Sequence, residues 1–470
     1  MLHVSTIDAR PSRVAIWRTE AAETIRLSLP IALTQLGQIA MMTSDLALVG
    51  RLGDKAVAAS ALAQIVLFVG FVLGMGLVSA VAPLAAQAFG AREPRMVRRA
   101  LRVGLWAALI LGIPLTAVCL QGERLLLALG QEAQVAALAH EYLLGLCWCM
   151  VPGWWFIALR SFMGAVNRPE PALWITLVAI PCNAALAYVL IFGAFGAPRL
   201  EIFGAGVATT LVNLGMCVAG FWICYTQRPF KKYQVLGRFW RFDWPLLRRL
   251  IVVGAPIAGA FLTEYGLFAG AALMAGWIGT VELAAHQMAL QIAAIVFMVP
   301  FGMSMAATVR VGHAVGRNDP IGVRRAGQTA IVMGALFMAV MVVIIIAFRG
   351  TIPRIFLDPG PGDADSTLAI AATLLAVGAT FFIVDGTQTV AAGALRGLND
   401  TRVPMLFAAA SFWLVGLSAC YLLAFPAGLG VFGIWVGFTI SIALYAGLLV
   451  WRFNALTRAG YMPNLAHASR

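Results

Sequence analysis

The chain has 470 residues, of which 61% are hydrophobic and only 11% are charged. Soluble domains carry about 25% charged and about 45–50% apolar residues, so this composition excludes an ordinary cytosolic enzyme and predicts a polytopic membrane protein. The net charge of +13 would suggest a nucleic-acid partner in a soluble protein. The positions of the basic residues decide between these two explanations.

The N-terminal segment, residues 1–26, mixes acidic and basic side chains without an apolar stretch, which predicts a cytoplasmic segment rather than a cleavable signal peptide. The seven cysteines lie in or beside apolar runs and form neither a C-x-x-C pair nor a Cys/His cluster. The pattern therefore indicates neither a disulfide framework nor a zinc site, and no cofactor is expected.

Apolar stretches of spanning length recur along the chain, and each is predicted to form a transmembrane helix because a membrane-spanning backbone must satisfy its own hydrogen bonds. They lie at about 27–50, 57–88, 103–120, 136–158, 172–193, 203–225, 250–278, 283–309, 327–348, 367–393, 404–425 and 431–450. The predicted fold is all-α and polytopic, with twelve transmembrane helices.

The basic residues fall on one side of this predicted topology. Of the 33 Lys and Arg residues, 27 lie in the termini and the loops on the same side, and six lie on the other. The positive-inside rule then places both termini in the cytoplasm. The basic charge is explained by topology, so no nucleic-acid partner is expected.

The two halves of the chain repeat one another. A shift of 226 residues aligns the first two spans with the seventh and eighth without a gap, so that Pro30 falls on Pro256 and Gly90 on Gly316. The repeat predicts two pseudo-symmetric six-helix lobes, an arrangement typical of transporters with a central site. The predicted domains are a cytoplasmic segment (1–26), an N-terminal lobe (27–225), a basic linker (226–249), a C-terminal lobe (250–453) and a cytoplasmic tail (454–470).

Three carboxylates lie inside predicted spans: Asp45 in the first, Glu264 in the seventh and Asp385 in the tenth. The helical rise places Glu264 roughly 22 Å beyond Arg249 and Asp385 roughly 16 Å before Arg396. Both are therefore near the middle of the bilayer, whereas Asp45 is closer to the outer end of its helix.

No Lys or Arg is expected at the depth of these carboxylates, because Arg160 and Arg396 are predicted to lie in matching loops. An ionised carboxylate at a helix centre costs at least about 2.5–3.5 kcal/mol, so either a proton or a bound cation, Na⁺ or organic, is expected to neutralise it. The alternative is a structural, protonated carboxyl that bonds to a neighbouring carbonyl group.

Polar and aromatic side chains near the carboxylates are candidates for a binding site. Phe261 and Tyr265 flank Glu264, and Phe381 precedes Asp385; aromatic rings can bind a flat organic cation by cation–π contact, although packing is the alternative role for each. Most Asn and Gln residues in the spans are expected to join helices. His286 is expected to be structural.

Several multi-residue blocks resemble the multidrug and toxin extrusion (MATE) family, in its NorM-like branch, over about residues 27–450. They are Gly50-Arg51-Leu52-Gly53, Gly276-Trp277-Ile278-Gly279, Ala284-Ala285-His286-Gln287, Arg310-Val311-Gly312-His313 and Ala391-Ala392-Gly393-Ala394-Leu395-Arg396-Gly397. The resemblance implies a V-shaped pair of lobes that exports organic cations, such as drugs and dyes, by alternating access in exchange for Na⁺ or H⁺. It also implies a monomeric, multi-pass protein of the bacterial inner membrane, in contact with membrane lipids.

The resemblance also implies roles for individual residues. Glu264, Asp385 and Asp45 match the acidic positions of the family's seventh, tenth and first helices, and would bind the coupling ion or the substrate cation. Asn183 and Thr209 match polar positions near Asp45.

Two departures from the family pattern reduce the number of oxygen ligands for a hard cation. Phe381 replaces a tyrosine near Asp385, and Ala187 replaces a polar residue one turn after Asn183. The family's behaviour slightly favours Na⁺, possible at Glu264 and Asp385, while H⁺ stays open.

A lipid flippase and a membrane enzyme are the alternatives to a drug transporter. A flippase of related architecture for lipid-linked precursors would need buried Arg or Lys for a pyrophosphate headgroup, and none is expected in the spans. A membrane enzyme is the weakest alternative, because the sequence has no H-E-x-x-H or G-x-S-x-G motif and no carboxylate–histidine cluster with ligand spacing.

Overall fold

The computed structural model describes residues 13–355 and 363–463. Within these ranges the chain is almost entirely helical and contains no β-strand. Residues 1–12 of the predicted N-terminal segment (1–26) and the last residues of the predicted tail, from 464 onward, lie outside the described residues.

Seventeen α-helices follow one another along the described chain. They are α1 (Arg13–Gly50), α2 (Asp54–Ser79), α3 (Val81–Gly90), α4 (Pro94–Cys119), α5 (Gly122–Ala128), α6 (Ala133–Leu146), α7 (Met150–Ala165), α8 (Glu170–Phe192), α9 (Glu201–Thr226), α10 (Trp244–Ile278), α11 (Thr280–Gly316), α12 (Pro320–Ala347), α13 (Asp363–Val377), α14 (Ala379–Gly397), α15 (Arg402–Ala409), α16 (Leu417–Ala424) and α17 (Gly430–Arg458). Short 3₁₀ turns and one π-helical segment, Ala410–Gly416, complete the described secondary structure.

The predicted transmembrane helices correspond to these elements, and the protein is a multi-pass membrane protein. In the described chain ten helices or continuous helix pairs are long and apolar enough to cross a membrane, and the bent pair α13–α14 forms an eleventh span. The 38-residue helix α1 lies where the first span is predicted. Helices extend past the predicted spans: α10 begins at Trp244, inside the predicted linker, where Asp243 accepts a hydrogen bond from the Leu246 amide. The lobe boundaries themselves stay predictions.

The internal repeat appears in the structure as matching elements. Gly53 and Gly279, related by the 226-residue shift, each precede the second helix of their half. Pro94 and Pro320, also related by the shift, each begin the third spanning helix. Proline suits the first turn of a helix because the missing N–H has no intrahelical partner there.

The two halves contact each other through pairs of residues that are related by the same shift of 226 residues. A Cβ added at Gly76 would overlap the backbone of Ala258, and a Cβ added at Gly302 would lie 2.8 Å from the Cα of Ala32. Gly302 is the repeat partner of Gly76, and Ala258 that of Ala32, so one contact is made twice around a pseudo-twofold axis. Small residues allow helix backbones to approach this closely.

These contacts close only one end of the molecule, the end that carries the described termini. There, a single apolar core joins residues of the first half, such as Leu84 and Phe162, to Ile257 and Val309 of the second. The other buried residues form one cluster within residues 49–208 and another within residues 267–453. The halves therefore share one core at the base, and each also has a core of its own.

The tenth span is broken. Helices α13 and α14 meet at an angle of 54° around Gly378, where a Cβ would lie 2.6 Å from the indole ring of Trp435. Only a residue without a side chain fits this approach. Helix α14 therefore starts inside the C-terminal half, and its first two turns carry Phe381 and Asp385.

Candidate functional site

A cavity of about 470 Å³ lies between the two halves, beyond the base where they touch. Its walls come from both halves and are mostly apolar and aromatic. Helices α1 and α2 contribute Gln35, Phe68, Val72 and Met75, and helices α10, α11 and α14 contribute Phe261, Glu264, Tyr265, Phe268, Gln287, Leu290, Gln291, Ala293, Ala294, Phe297, Met298, Phe301, Phe381 and Asp385. A concave apolar pocket with a few converging polar groups is the usual form of a small-molecule site.

Two of the three predicted carboxylates come together on this cavity. Gln388 Nε2 donates to Glu264 Oε1 over 3.0 Å and to Asp385 Oδ1 over 3.2 Å, so one amide nitrogen joins helices α10 and α14. Asp385 is buried. The arrangement holds two carboxylates within hydrogen-bond reach of one atom, in surroundings where two negative charges repel strongly.

No basic side chain pairs with these acids in the described chain. No Lys or Arg nitrogen lies within 4.0 Å of a carboxylate oxygen of Asp45, Glu264 or Asp385. The Arg396 guanidinium nevertheless lies close enough to Glu264 to interact with it electrostatically, so the expectation that no basic side chain lies near these acids is wrong for Glu264.

The predicted loop positions of Arg160 and Arg396 are wrong. Arg160 lies in α7 and Arg396 in α14, and both occur in an Ala-Leu-Arg sequence near the end of their helix. Their side chains turn into the protein because other helices cover those ends. The Arg396 guanidinium lies over the ring of Phe261, 4.8 Å from its centroid. One face of this ring is therefore covered by a positive charge of the protein itself.

The three predicted aromatic residues all line the cavity, but their surroundings differ. Tyr265 approaches Phe68 of the other half, with ring centroids 4.8 Å apart. Phe381 is almost fully buried among Phe268, Trp435 and other aromatic rings. Packing therefore accounts for much of the environment of Phe381, whereas Tyr265 sits where the two halves face each other across the cavity.

Asp45 is not brought to the cavity and forms a separate polar cluster in the N-terminal half. Asn183 Nδ2 and the Thr209 hydroxyl both donate to its carboxylate, the latter over 3.1 Å. The Asn183 Oδ1 atom is buried and accepts no hydrogen bond from the described residues. Ala187, the position that departs from the family pattern, is fully buried.

Sequence reasoning missed two features of the site. Gln388 was grouped with ordinary helix-joining amides, although its position three residues after Asp385 places both on one helix face. The other is a stripe on α11 in which Gln287, Gln291 and Phe301 recur at intervals typical of one helix face. That spacing was the available signal.

His286 is a buried structural residue, as expected. The Trp435 indole N–H donates to His286 Nδ1 over 3.2 Å, and the Phe438 ring packs against the imidazole. These contacts hold the ring between α11 and α17, away from the cavity lining.

A bound Na⁺ would take its protein ligands at the cavity from Glu264 and Asp385. Within the described ranges, no group of three or more His, Cys, Asp or Glu side chains is placed to hold a metal ion. The carboxylate oxygens are suitable ligands for a hard cation, but Phe381 supplies no hydroxyl and Gln388 turns a donor toward the acids.

Comparison with known proteins places the chain in a family. The MatE family model matches residues 30–189 and again residues 256–422, and the two matched segments start 226 residues apart, at the spacing of the internal repeat. The chain belongs to the MATE family. The resemblance inferred from the sequence blocks is thereby confirmed.

MATE relatives cover almost the whole chain. A probable multidrug resistance protein NorM from Rhodopseudomonas palustris is 61% identical over 95% of this chain and 94% of its own length. A multidrug resistance protein NorM from Burkholderia vietnamiensis is 36% identical over 93% of this chain and 94% of its own length.

Solved MATE structures share the fold. A eukaryotic MATE transporter, AtDTX14, superposes with a TM-score of 0.83 at 20% identity, covering 94% of this chain and 98% of its own. A MATE in the bent conformation gives a TM-score of 0.81 at 20% identity, covering 96% and 100%. The all-α, polytopic MATE fold predicted from the sequence is confirmed.

Proposed function

We propose that this protein is a multidrug efflux transporter that exports lipophilic organic cations across the bacterial inner membrane in exchange for Na⁺ or H⁺. The observation that carries the proposal is the aromatic cavity between the lobes, which holds Glu264 and Asp385 without a paired basic side chain among the described residues. NorM relatives named for multidrug resistance support it.

The chemistry of the cavity fits a flat cation. Aromatic rings from both halves line the cavity, such as Phe68 and Tyr265, which contact each other. Their free faces would attract a cation by about 0.5–2 kcal/mol each when desolvated. The two carboxylates supply negative charge that such a substrate would neutralise. A pyrophosphate headgroup, the cargo of the alternative flippase, would meet these same acids and be repelled.

The coupling ion would act through the same acids. Protonation of a carboxyl or binding of Na⁺ removes the negative charge that holds an organic cation, so ion and drug would compete for one site. For this competition to drive transport, the two ligands must stabilise different conformations. The membrane potential adds about 2.3 kcal/mol per charge per 100 mV to the inward movement of the ion.

The shared base of the lobes supports alternating access. With the termini in the cytoplasm, as the positive-inside rule predicts, the closed base is cytoplasmic and the cavity lies on its outer side. Hydrogen bonds across the base join Gln87 of α3 to the Gly397 carbonyl over 2.9 Å and to the Asn399 amide over 2.8 Å. Inward opening would have to break them.

Gradients imposed one at a time on proteoliposomes test the proposal. Ethidium transport is measured with a Na⁺ gradient at equal pH, then with a pH gradient in Na⁺-free buffer, in both cases at zero membrane potential. Acceleration by one gradient identifies the coupling ion. Ion-coupled export would be contradicted if the rate of ethidium transport were the same with the Na⁺ gradient, with the pH gradient and with no gradient.

A further inference from the structure

Arg160 is a buried charge without a carboxylate partner. Only 9% of the Arg160 surface is exposed. Within the described part of the chain, no Asp or Glu carboxylate oxygen lies within 4.0 Å of its guanidinium nitrogens. The guanidinium Nη1 donates to the amide oxygens of Gln35 and Gln38 on α1, the latter over 3.2 Å. Because an arginine stays charged inside a protein, two neutral amides leave the positive charge uncompensated.

A small cavity lies beside this side chain. It has a volume of about 20 Å³ and is lined by Arg160, Ser161 and Thr34, together with apolar residues. A cavity needs about 10–15 Å³ to hold one water-sized species, so this cavity has room for a single small species.

The buried polar atoms without a partner at this cavity can both donate a hydrogen bond, although the serine hydroxyl can also accept one. Among the described residues, neither Arg160 Nε nor the Ser161 hydroxyl finds a hydrogen-bond partner, and both atoms are buried. The Thr34 hydroxyl donates its hydrogen to the Pro30 carbonyl over 2.8 Å. Unused donors beside a permanent positive charge attract an anion, whereas a cation would be repelled.

We propose that this cavity is a chloride site, in which a monovalent monatomic anion accepts hydrogen bonds from Arg160 and Ser161 and neutralises the buried guanidinium. The small cavity has a different lining from the drug cavity, although Gln35 of the drug cavity accepts a hydrogen bond from Arg160. The proposal does not depend on the proposed transport function. It would explain how the base of the molecule tolerates an arginine that has no acidic partner.

The position of the cavity links anion binding to conformation. Arg160, Ser161 and Thr34 belong to the N-terminal half, whereas Met305 and Val309 close the cavity from α11 of the C-terminal half. Separation of the halves at this base would open the site to solvent. A ligand that binds one state better shifts the equilibrium toward it, so chloride is expected to stabilise the conformation seen here.

Anomalous diffraction of crystals grown with bromide in place of chloride tests the site directly. We expect an anomalous peak within hydrogen-bond distance of Arg160 Nε in the wild type and its loss in Arg160→Gln. Arg168→Gln is the matched control, since it removes an exposed basic side chain that does not line the cavity. The site is supported if the peak is present in the wild type and in Arg168→Gln but absent in Arg160→Gln. An ordered water without anomalous signal in the wild type would overturn the proposal.

Thermal unfolding gives a second measurement that needs no crystals. Replacement of gluconate by chloride at constant ionic strength should raise the melting temperature of the wild type and of Arg168→Gln, but not that of Arg160→Gln. If Arg160→Gln does not fold, Ser161→Ala keeps the charge and should need several-fold more chloride for the same shift. An unchanged chloride dependence in both Arg160→Gln and Ser161→Ala would overturn the proposal.

Discussion

Gln388 donates a hydrogen bond to Glu264 across 3.0 Å, and this contact joins the broken tenth span to the seventh. The same amide nitrogen reaches Asp385, three residues earlier on α14. The amide therefore holds two acidic side chains from different helices in one small volume. Their combined charge depends on what they bind, and their separation depends on Gln388.

Gln388→Leu should strengthen binding of the coupling ion, because it removes a donor that stabilises the ionised form of both carboxylates and competes with a proton or a cation for their oxygens. Hydrogen bonds to charged groups contribute about 1.5–3 kcal/mol, so we expect the ion concentration for half-maximal ethidium export to change by about 10-fold or more. Export by proteoliposomes over a series of ion concentrations measures this change.

Gln328→Leu is the matched control for Gln388→Leu. Gln328 donates to Asn454 over 3.0 Å, between α12 and α17 of the same lobe, and does not line the cavity. Its ion dependence should equal that of the wild type. An unchanged half-maximal concentration in Gln388→Leu would remove this amide from the account.

Gly76→Ala should open the base of the molecule, because the new Cβ would overlap the backbone of Ala258 in the other half. Overpacking costs about 1–3 kcal/mol, which shifts a two-state equilibrium by about 5-fold or more. Distances between spin labels on the C-terminal ends of α3 and α11, at the base of the molecule, should become longer in the variant. Gly215→Ala is the control, since a Cβ added at Gly215 has no neighbour within 4 Å, and its distances should match the wild type. Identical distance distributions in all three proteins would refute a closed base of this kind.

Tyr265→Leu should lower the affinity for ethidium, since it removes an aromatic face where the two lobes meet across the cavity. A cation–π contact contributes about 0.5–2 kcal/mol, so the dissociation constant should rise by about 2- to 30-fold. Fluorescence titration of the purified protein measures it. Tyr188→Leu removes a tyrosine of α8 whose ring packs at a tilt against Phe192, away from the cavity, and should leave the affinity unchanged. Equal affinity in both variants would exclude Tyr265 from the binding surface.

Much of the fold could be predicted from the sequence, because the length and apolar composition of a segment identify it as a membrane helix. The repeat was equally visible, since Pro94 and Pro320 begin corresponding helices and Gly53 and Gly279 precede corresponding ones. Position along a helix also placed Glu264 and Asp385 near one depth, although it did not show that they meet.

What the sequence did not show depends on tertiary packing. Arg160 and Arg396 follow apolar stretches at helix ends, where a basic residue usually marks the membrane surface, and only the packing of neighbouring helices turns them inward. By contrast, the position of Asp45 beside Asn183 and Thr209 is what the family resemblance implies. The meeting of Glu264 and Asp385 at Gln388 depends on how α10 packs against α14.

The central claim is that the charge of Glu264 and Asp385 is neutralised in turn by the coupling ion and the exported cation. Ion-driven ethidium export by proteoliposomes containing Glu264→Gln or Asp385→Asn tests it most directly, with Asp54→Asn, an exposed carboxylate in the first turn of α2, as control. We predict that both cavity variants fold and reconstitute normally yet lose ion-driven export, while the control exports at the wild-type rate. Wild-type export by both cavity variants would contradict the claim.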